Sequence, residues 1–397
     1  MSEEYFELTP EMEDWMLENM NKSPSDLILT NKKFENATIR KLVTQIDIRQ
    51  RAKLKLRSWV SNSKIIFPSK LAYEQSTSEM LAIFKAEKFG RNELIIDGTG
   101  GLGMDSFGFS KYTNKVCYVE QNANLCKHAA HNFSHLGINN IEIFNENIIN
   151  FLKNTNTKAN LIYLDPARRD DADKKVIDLI KYTPDIIENM QLLFQHTDTL
   201  LVKLSPMVDL TYIEKSLTNI EEIVITGIAD DCKEILVKMN KKQTPITYTA
   251  VEFSKQGELK CLFSCSNVVS ETTYSMPQTY IYELFTPILK LGKFNHICSQ
   301  FFVSKLHKNT HIFTSSKWID NFPGNVFELQ ETTSPKIKEI KILKDQSASI
   351  TTYNYPEKPE ILHKKWKIKN GNDFRIFGVK LINEEYKLLI CKPIIKK

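Results

Sequence analysis

Short apolar runs bounded by polar and turn-forming residues recur between residues 72 and 265, at 94–96, 116–119, 141–144, 161–164, 200–204 and 223–226. Each run is too short for a buried helix and most are apolar at consecutive positions, the pattern of a strand covered on both faces. Segments with helical spacing separate the runs, so the pattern predicts an α/β domain: an open parallel sheet with helices on both sides. A final pair of strands, 236–239 and 248–253, is expected to end it. Such a sheet binds its ligand beyond the carboxyl ends of its central strands. The chemistry should therefore follow Ile96, Val119, Phe144 and Leu164.

Up to about residue 70 the spacing is helical. Thr9-Pro10 and Ser23-Pro24 each place an N-cap candidate before a proline at the first helical position, and Ile39, Leu42, Val43 and Ile46 fall on one face. A long basic helix ending near Trp59 either lies along a phosphate backbone or covers the next domain. Beyond residue 270 the rhythm breaks. Residues 273–322 read as a small mixed module with a helix through 281–291, and residues 323–397 as a second one, rich in β-branched residues and Lys. The expected organisation is a helical region over 1–70, a sheet domain over 71–272, and these two modules.

Composition changes little: 397 residues, 42% hydrophobic and 25% charged, describe an ordinary globular chain. Charge is more informative. The net of +5 is uneven, with nine Lys or Arg against two acids over 32–57 (net +7) and fifteen against seven over 336–397 (net +8). Two basic regions flanking a balanced middle suit a polyanion such as RNA, or are two solvated lysine-rich faces. The apolar runs are interrupted too often for a membrane span, and the acidic start Met1-Ser2-Glu3-Glu4 lacks the features of a secretory signal, so a cytosolic protein without membrane contact is expected. Seven Cys lie scattered without a CxxC pair, which supports neither a disulfide framework nor a zinc ribbon. His128, His131 and His135 share a helical face but sit beside Lys127 without a carboxylate at matching spacing, and no metal is expected.

The strand at 94–96 runs into Asp97-Gly98-Thr99-Gly100-Gly101-Leu102-Gly103, followed by a helix starting near Asp105. Gly98, Gly100 and Gly103 match GxGxxG, a weak signal for a dinucleotide fold. Asp97 argues otherwise, because a carboxylate at the strand tip repels a pyrophosphate and favours a cationic amino-acid ligand. The next strand ends in Glu120-Gln121-Asn122, and an acid there can accept both hydroxyls of a ribose in either kind of fold. The third ends in Phe144-Asn145-Glu146-Asn147, and the fourth in Asp165-Pro166-Ala167-Arg168-Arg169.

Asp97, Thr99, Gly101 and Gly103 resemble, as D-x-T-x-G-x-G, the cofactor loop of class I S-adenosyl-L-methionine-dependent methyltransferases, and especially the loop of small-subunit ribosomal RNA guanine methyltransferases. Asp165-Pro166-Ala167-Arg168 resembles the [D/N/S]-P-P-[Y/F/W/R] motif of enzymes that methylate base amino groups. D-P-A-R-R, with the segments 75–79 and 203–206, resembles a bacterial family with a C-terminal THUMP-like domain. The resemblance covers nearly the whole chain. It implies a Rossmann-like methyltransferase sheet followed by small ferredoxin-like (273–322) and THUMP-like (323–397) α+β modules. It implies S-adenosyl-L-methionine as cofactor, held by Gln75, Ser78, Asp97, Thr99, Gly101, Gly103, Asp105, Glu120, Gln121 and Asn147. Asn147 would meet the adenine amine, or else merely cap its loop.

Physics supports Asp165-Pro166 for amine methylation. An exocyclic base amine is a poor nucleophile whose nitrogen gains positive charge as the methyl arrives, and a fixed carboxylate with a nearby carbonyl can orient the amine and stabilise that charge. Asp165, Pro166 and Arg168 are therefore the expected catalytic residues, with Arg168 standing where relatives carry an aromatic residue. The expected activity is methylation of a base nitrogen in rRNA or tRNA, guanine N2 being favoured. The alternatives are a methyltransferase for DNA or protein, an RNA-binding protein retaining only ligand binding, and a NAD oxidoreductase.

Overall fold

The computed structural model describes residues 5–168, 182–267, 271–334, Leu343 and residues 346–394. Two compact units divide the chain: 1–223 with 234–244 and 255–257, and 224–233 with 245–254 and 258–397.

The first unit opens with helices, as the spacing predicts. The Thr9 hydroxyl accepts the Met12 N–H and caps Pro10–Asn19, whereas Ser23 makes no such bond to Pro24–Leu29. Helix Asn36–Ala52 buries Ile39, Leu42, Val43 and Ile46 against Met16 and Leu27. The basic face expected of this helix is smaller than its sequence implies. Arg49 is buried and donates to the carbonyls of Val60, Asn62, Ser63 and Ile65, and desolvation lowers its pKa to about 10.

The sheet of this unit contains β1 (Leu94–Asp97), β2 (Lys115–Val119), β3 (Ile141–Phe144) and β4 (Leu161–Leu164). β2 pairs in parallel with β1 and β3, and β4 pairs in parallel with β1 and with strand Thr199–Leu204. Asp231–Asn240 then joins Thr199–Leu204 antiparallel, from Asn240 opposite Thr199 to Ile235 opposite Leu204. The chain leaves β1 for β2 on one side and reaches β4 on the other. The ends of β1 and β4 therefore flank a topological switch point, where α/β sheets hold ligands.

In the second unit, Thr247–Phe253 pairs antiparallel with Leu259–Ser266. An eight-stranded sheet follows among the described residues, with a core around Ile281, Phe327, Phe377 and Leu389. The helix expected through 281–291 is instead strand Tyr280–Leu284 followed by helix Thr286–Leu291. Tyr280, Ile281 and Tyr282 favour a pleated surface, and Pro287 has no N–H to donate inside a longer helix but fits a first turn. Strand Tyr280–Leu284 pairs with both Thr310–Ser315 and Gly324–Thr333, so the segments on either side of residue 322 share one sheet.

Candidate active site

The loop after β1 is pinned by backbone bonds from Gly98 N–H to the Tyr163 carbonyl (2.9 Å) and from Gly100 N–H to the Val119 carbonyl (3.0 Å). A Cβ on Gly100 would lie 2.3 Å from the Tyr118 ring, so the turn packs directly on β2. Gly101 is left-handed at φ +54°, and a Cβ there would meet nothing closer than the Thr99 carbonyl at 3.8 Å. The backbone at Gly101 thus presents an open face that a ligand can approach. Gly103, also left-handed, stands at the N-cap of helix Met104–Ser110.

Asp97 lies beneath this loop. It has 0% exposure, accepts from the Thr99 N–H (3.2 Å) and the Ser106 hydroxyl (2.6 Å), and is pushed up to about 7 by desolvation, with the neighbouring Asp105 adding to it. Its hydrogen bonds brace the loop, and any attraction for a ligand ammonium acts through that loop. Glu120, at the end of β2, accepts from Gly101 N–H (3.0 Å) and Asn122 N–H (2.8 Å) and stays partly exposed. A carboxylate has about four acceptor sites, so both oxygens can still take a ribose hydroxyl. The Asn147 side-chain oxygen accepts the Ile149 N–H (2.9 Å), the capping role, while its amide nitrogen meets the Gln121 side-chain oxygen at 3.4 Å.

Asp165 follows β4. Its backbone N–H donates to the Thr99 hydroxyl (2.6 Å), and its carboxylate forms an ion pair with Lys203, whose ammonium also donates to the Thr77 hydroxyl (3.1 Å). The Asp165 side chain keeps 34% exposure against 13% for Lys203, so the acid is the more accessible member of the pair. Burial disfavours the charged ammonium, but Asp165, Asp105 and Glu234 outweigh it and raise the Lys203 pKa.

Behind Lys203 the polar chain continues inward. Thr77 donates to Asp105 (2.8 Å), Tyr163 donates to the same oxygen (3.0 Å), and Lys85 pairs with Asp105 and Glu234, each at 2.8 Å. Burial would raise Asp105, yet Lys85 and Lys203 prevail and hold it below its ordinary range; for Glu234 burial prevails and its pKa is raised.

The structure therefore gathers Asp97, Thr99, Gly101, Gly103, Asp105, Glu120, Gln121, Asn147 and Asp165 around the ends of β1 to β4. Ser78 instead caps helix Glu79–Phe89, and Gln75 ends helix Lys70–Gln75 with its side chain exposed; the residue of that segment reaching the cluster is Thr77. Pro166 leads into Ala167–Arg168, paired antiparallel with Tyr182–Thr183, while the Arg168 side chain and all of Arg169 lie outside the described residues. Sequence reasoning missed the roles of Thr77, Lys85, Tyr163, Lys203 and Glu234. Lys203 within Leu200-Leu201-Val202-Lys203-Leu204 carried a usable signal, because a lone charge in a strand buried on both faces needs a partner.

This donor set fits S-adenosyl-L-methionine. Carboxylates stand at the strand ends and the cations Lys85 and Lys203 are bound behind them, which disfavours a pyrophosphate and suits a cationic amino acid attached to a nucleoside. Among the described residues no group of three metal-ligating side chains occurs, and no helix is long and apolar enough to cross a membrane.

Residues 53–223 match a family model described as conserved hypothetical protein 95, and residues 280–323 match a ferredoxin-like domain. Among solved structures, a putative methyltransferase from Porphyromonas gingivalis W83 is 26% identical over 97% of this chain and 98% of that one, with a TM-score of 0.84. A rRNA methylase from Streptococcus thermophilus (16% identity, 41% of this chain and 95% of that one) and a putative methyltransferase from Streptococcus mutans solved with SAH (12%, 41% and 97%) each have a TM-score of 0.31, too low to add weight. No curated protein matches the chain. The α/β fold with a C-terminal ferredoxin-like domain is thus shared, over nearly the full length, with the Porphyromonas protein.

Proposed function

We propose that the chain is an S-adenosyl-L-methionine-dependent methyltransferase that modifies a base nitrogen, guanine N2 in the favoured case, of structured rRNA or tRNA in the cytoplasm. The observation that carries this reading is the partly exposed Asp165 carboxylate, paired with Lys203 on a backbone whose N–H donates to Thr99 of the glycine loop. In this reading Glu120 takes the ribose hydroxyls, the Asn147 amide the adenine edge, and the open backbone at Gly101 the amino-acid moiety. Bound there, S-adenosyl-L-methionine would supply an electrophilic methyl group on a sulfonium. Asp165 accepts an N–H of the base amine, turns its lone pair toward the glycine loop and stabilises the charge developing on nitrogen. Lys203 holds that carboxylate in place as its counter-charge.

RNA as substrate is supported by the D-P-A-R-R resemblance, and residues 323–397 serve in this reading as the THUMP-like module that grips it. Calorimetry tests the cofactor assignment. S-adenosylhomocysteine should bind and NAD should not, and Glu120→Ala should weaken the former by about 1.5–3 kcal/mol, the range for hydrogen bonds to charged groups. NAD binding without S-adenosylhomocysteine binding would overturn the reading.

A further inference from the structure

A groove of about 980 Å³ opens in the helical part of the first unit, between helices Pro24–Leu29 and Asn36–Ala52, and none of the strand-end residues lines it. One wall is a charged stripe. Arg40, Thr44, Asp47 and Arg51 recur at i, i+4, i+7 and i+11 on one face of helix Asn36–Ala52, so Arg40 and Arg51 stand about 16 Å apart along the axis at the usual helical rise. Lys70 joins them from the start of helix Lys70–Gln75.

The stripe is only partly neutralised. Asp47 alone serves both Arg51 (2.6 Å) and Lys70 (3.6 Å), and Arg40, exposed, makes no ion pair among the described residues. Among the residues lining the groove three cations stand against one acid, an excess of two positive charges, with Glu74 the next acid in reach of Arg51. The opposite wall is uncharged, formed by Pro24, Ser25 and Ile28, the last 44% exposed. A cationic edge facing an uncharged one matches a strand whose phosphates run along one side and whose bases or riboses pack on the other.

We infer that this groove holds single-stranded RNA by its phosphodiester backbone, away from the strand-end site. The inference rests on the RNA reading above for its choice of strand; the charge pattern alone would also admit an acidic peptide. Binding of this kind releases counterions from the backbone, so its signature is salt dependence, with a log-log slope of about −0.7 per phosphate neutralised.

The test uses the full chain and a fluorescein-labelled U12 oligoribonucleotide, with anisotropy measured from 50 to 250 mM KCl and no cofactor added. Arg40→Glu with Lys70→Glu should weaken binding about tenfold or more and flatten the slope by about 1.4, the change expected when two phosphates are no longer neutralised. S-adenosylhomocysteine affinity should stay the same. If the charge reversal unfolds the protein, Arg40→Gln with Lys70→Gln should flatten the slope by the same amount. An unchanged affinity and slope in a folded variant, a native chain that fails to bind U12, or polyglutamate displacing U12 as well as unlabelled U12 does, would each overturn the inference. Loss of S-adenosylhomocysteine binding by the native chain, with U12 binding intact, would instead remove the methyltransferase reading and leave the groove assignment standing.

Discussion

Replacing Lys85 by Met tests whether the buried ion chain behind the candidate site is organised as described. The Lys85 ammonium has 0% exposure and lies 2.8 Å from carboxylate oxygens of both Asp105 and Glu234. Methionine fills nearly the same volume but leaves two buried acids without their nearest counter-charge. Lys203 still acts on both acids, but Asp105 also keeps its bonds from Thr77 and Tyr163, so the larger deficit falls on Glu234, whose pKa burial already raises. Breaking a buried pair by removing one partner costs about 3–5 kcal/mol. At about 2–4 °C per kcal/mol for a unit of this size, the melting temperature should fall by about 6–20 °C at neutral pH. The sign of the pH dependence follows from linkage. A carboxyl whose folded pKa lies above its unfolded value holds its proton in the folded state after the unfolded chain has lost it, so stability declines as pH rises through that interval. Removing Lys85 lifts Glu234 further and extends the interval upward. The loss should therefore be smaller at pH 5 than at pH 8, and Glu234→Gln added to Lys85→Met should recover part of it at pH 8. Thermal melts of the native, single and double variants at both pH values provide the test. A loss under about 1 kcal/mol, or one that does not deepen with pH, would refute the reasoning.

Two further outcomes concern the glycine loop, and a third the end of helix Phe294–Phe301. Gly100→Ala should lower stability by about 1–3 kcal/mol through overpacking on Tyr118, whereas Gly101→Ala suffers mainly from its left-handed backbone, about 1–2 kcal/mol, and should weaken S-adenosylhomocysteine binding more than its stability loss implies; melts and calorimetry on both variants compare them. Asp97, raised to about 7, destabilises the folded state progressively as pH rises from about 4 to 7, so Asp97→Asn relative to the native chain should look better at pH 8 than at pH 5 in thermal melts. Phe302, 88% exposed and left-handed at φ +53°, closes helix Phe294–Phe301, and Phe302→Asn should raise the melting temperature, because Asn adopts that backbone with less strain.

The parallel strands were legible because strands buried on both faces carry consecutive apolar residues, and the loops at their ends then located Asp97, Glu120 and Asp165. The run 281–291 was not legible for the same reason: an apolar stretch alone does not separate a strand from a buried helix, and only Pro287 marks where one ends and the other begins. The pairing of Tyr280–Leu284 with Gly324–Thr333 is long-range and leaves no local trace in the sequence. Lys85 and Glu234 lie 149 positions apart, so their pairing was equally hidden, although a lysine inside an apolar helix already called for a partner. Asp97 reads as a ligand counter-charge from its place at a strand tip; its burial and its bond to Ser106 depend on how the following helix packs.

Mass spectrometry of nucleosides from total RNA tests the central claim most directly, comparing a gene-deletion strain with strains complemented by the native chain or by Asp165→Ala. One methylated nucleoside, N2-methylguanosine in the favoured case, should fall in the deletion, return with the native chain and stay low with Asp165→Ala, while the purified variant still binds S-adenosylhomocysteine. RNA modification identical in all of the strains, or full restoration by Asp165→Ala, would contradict it.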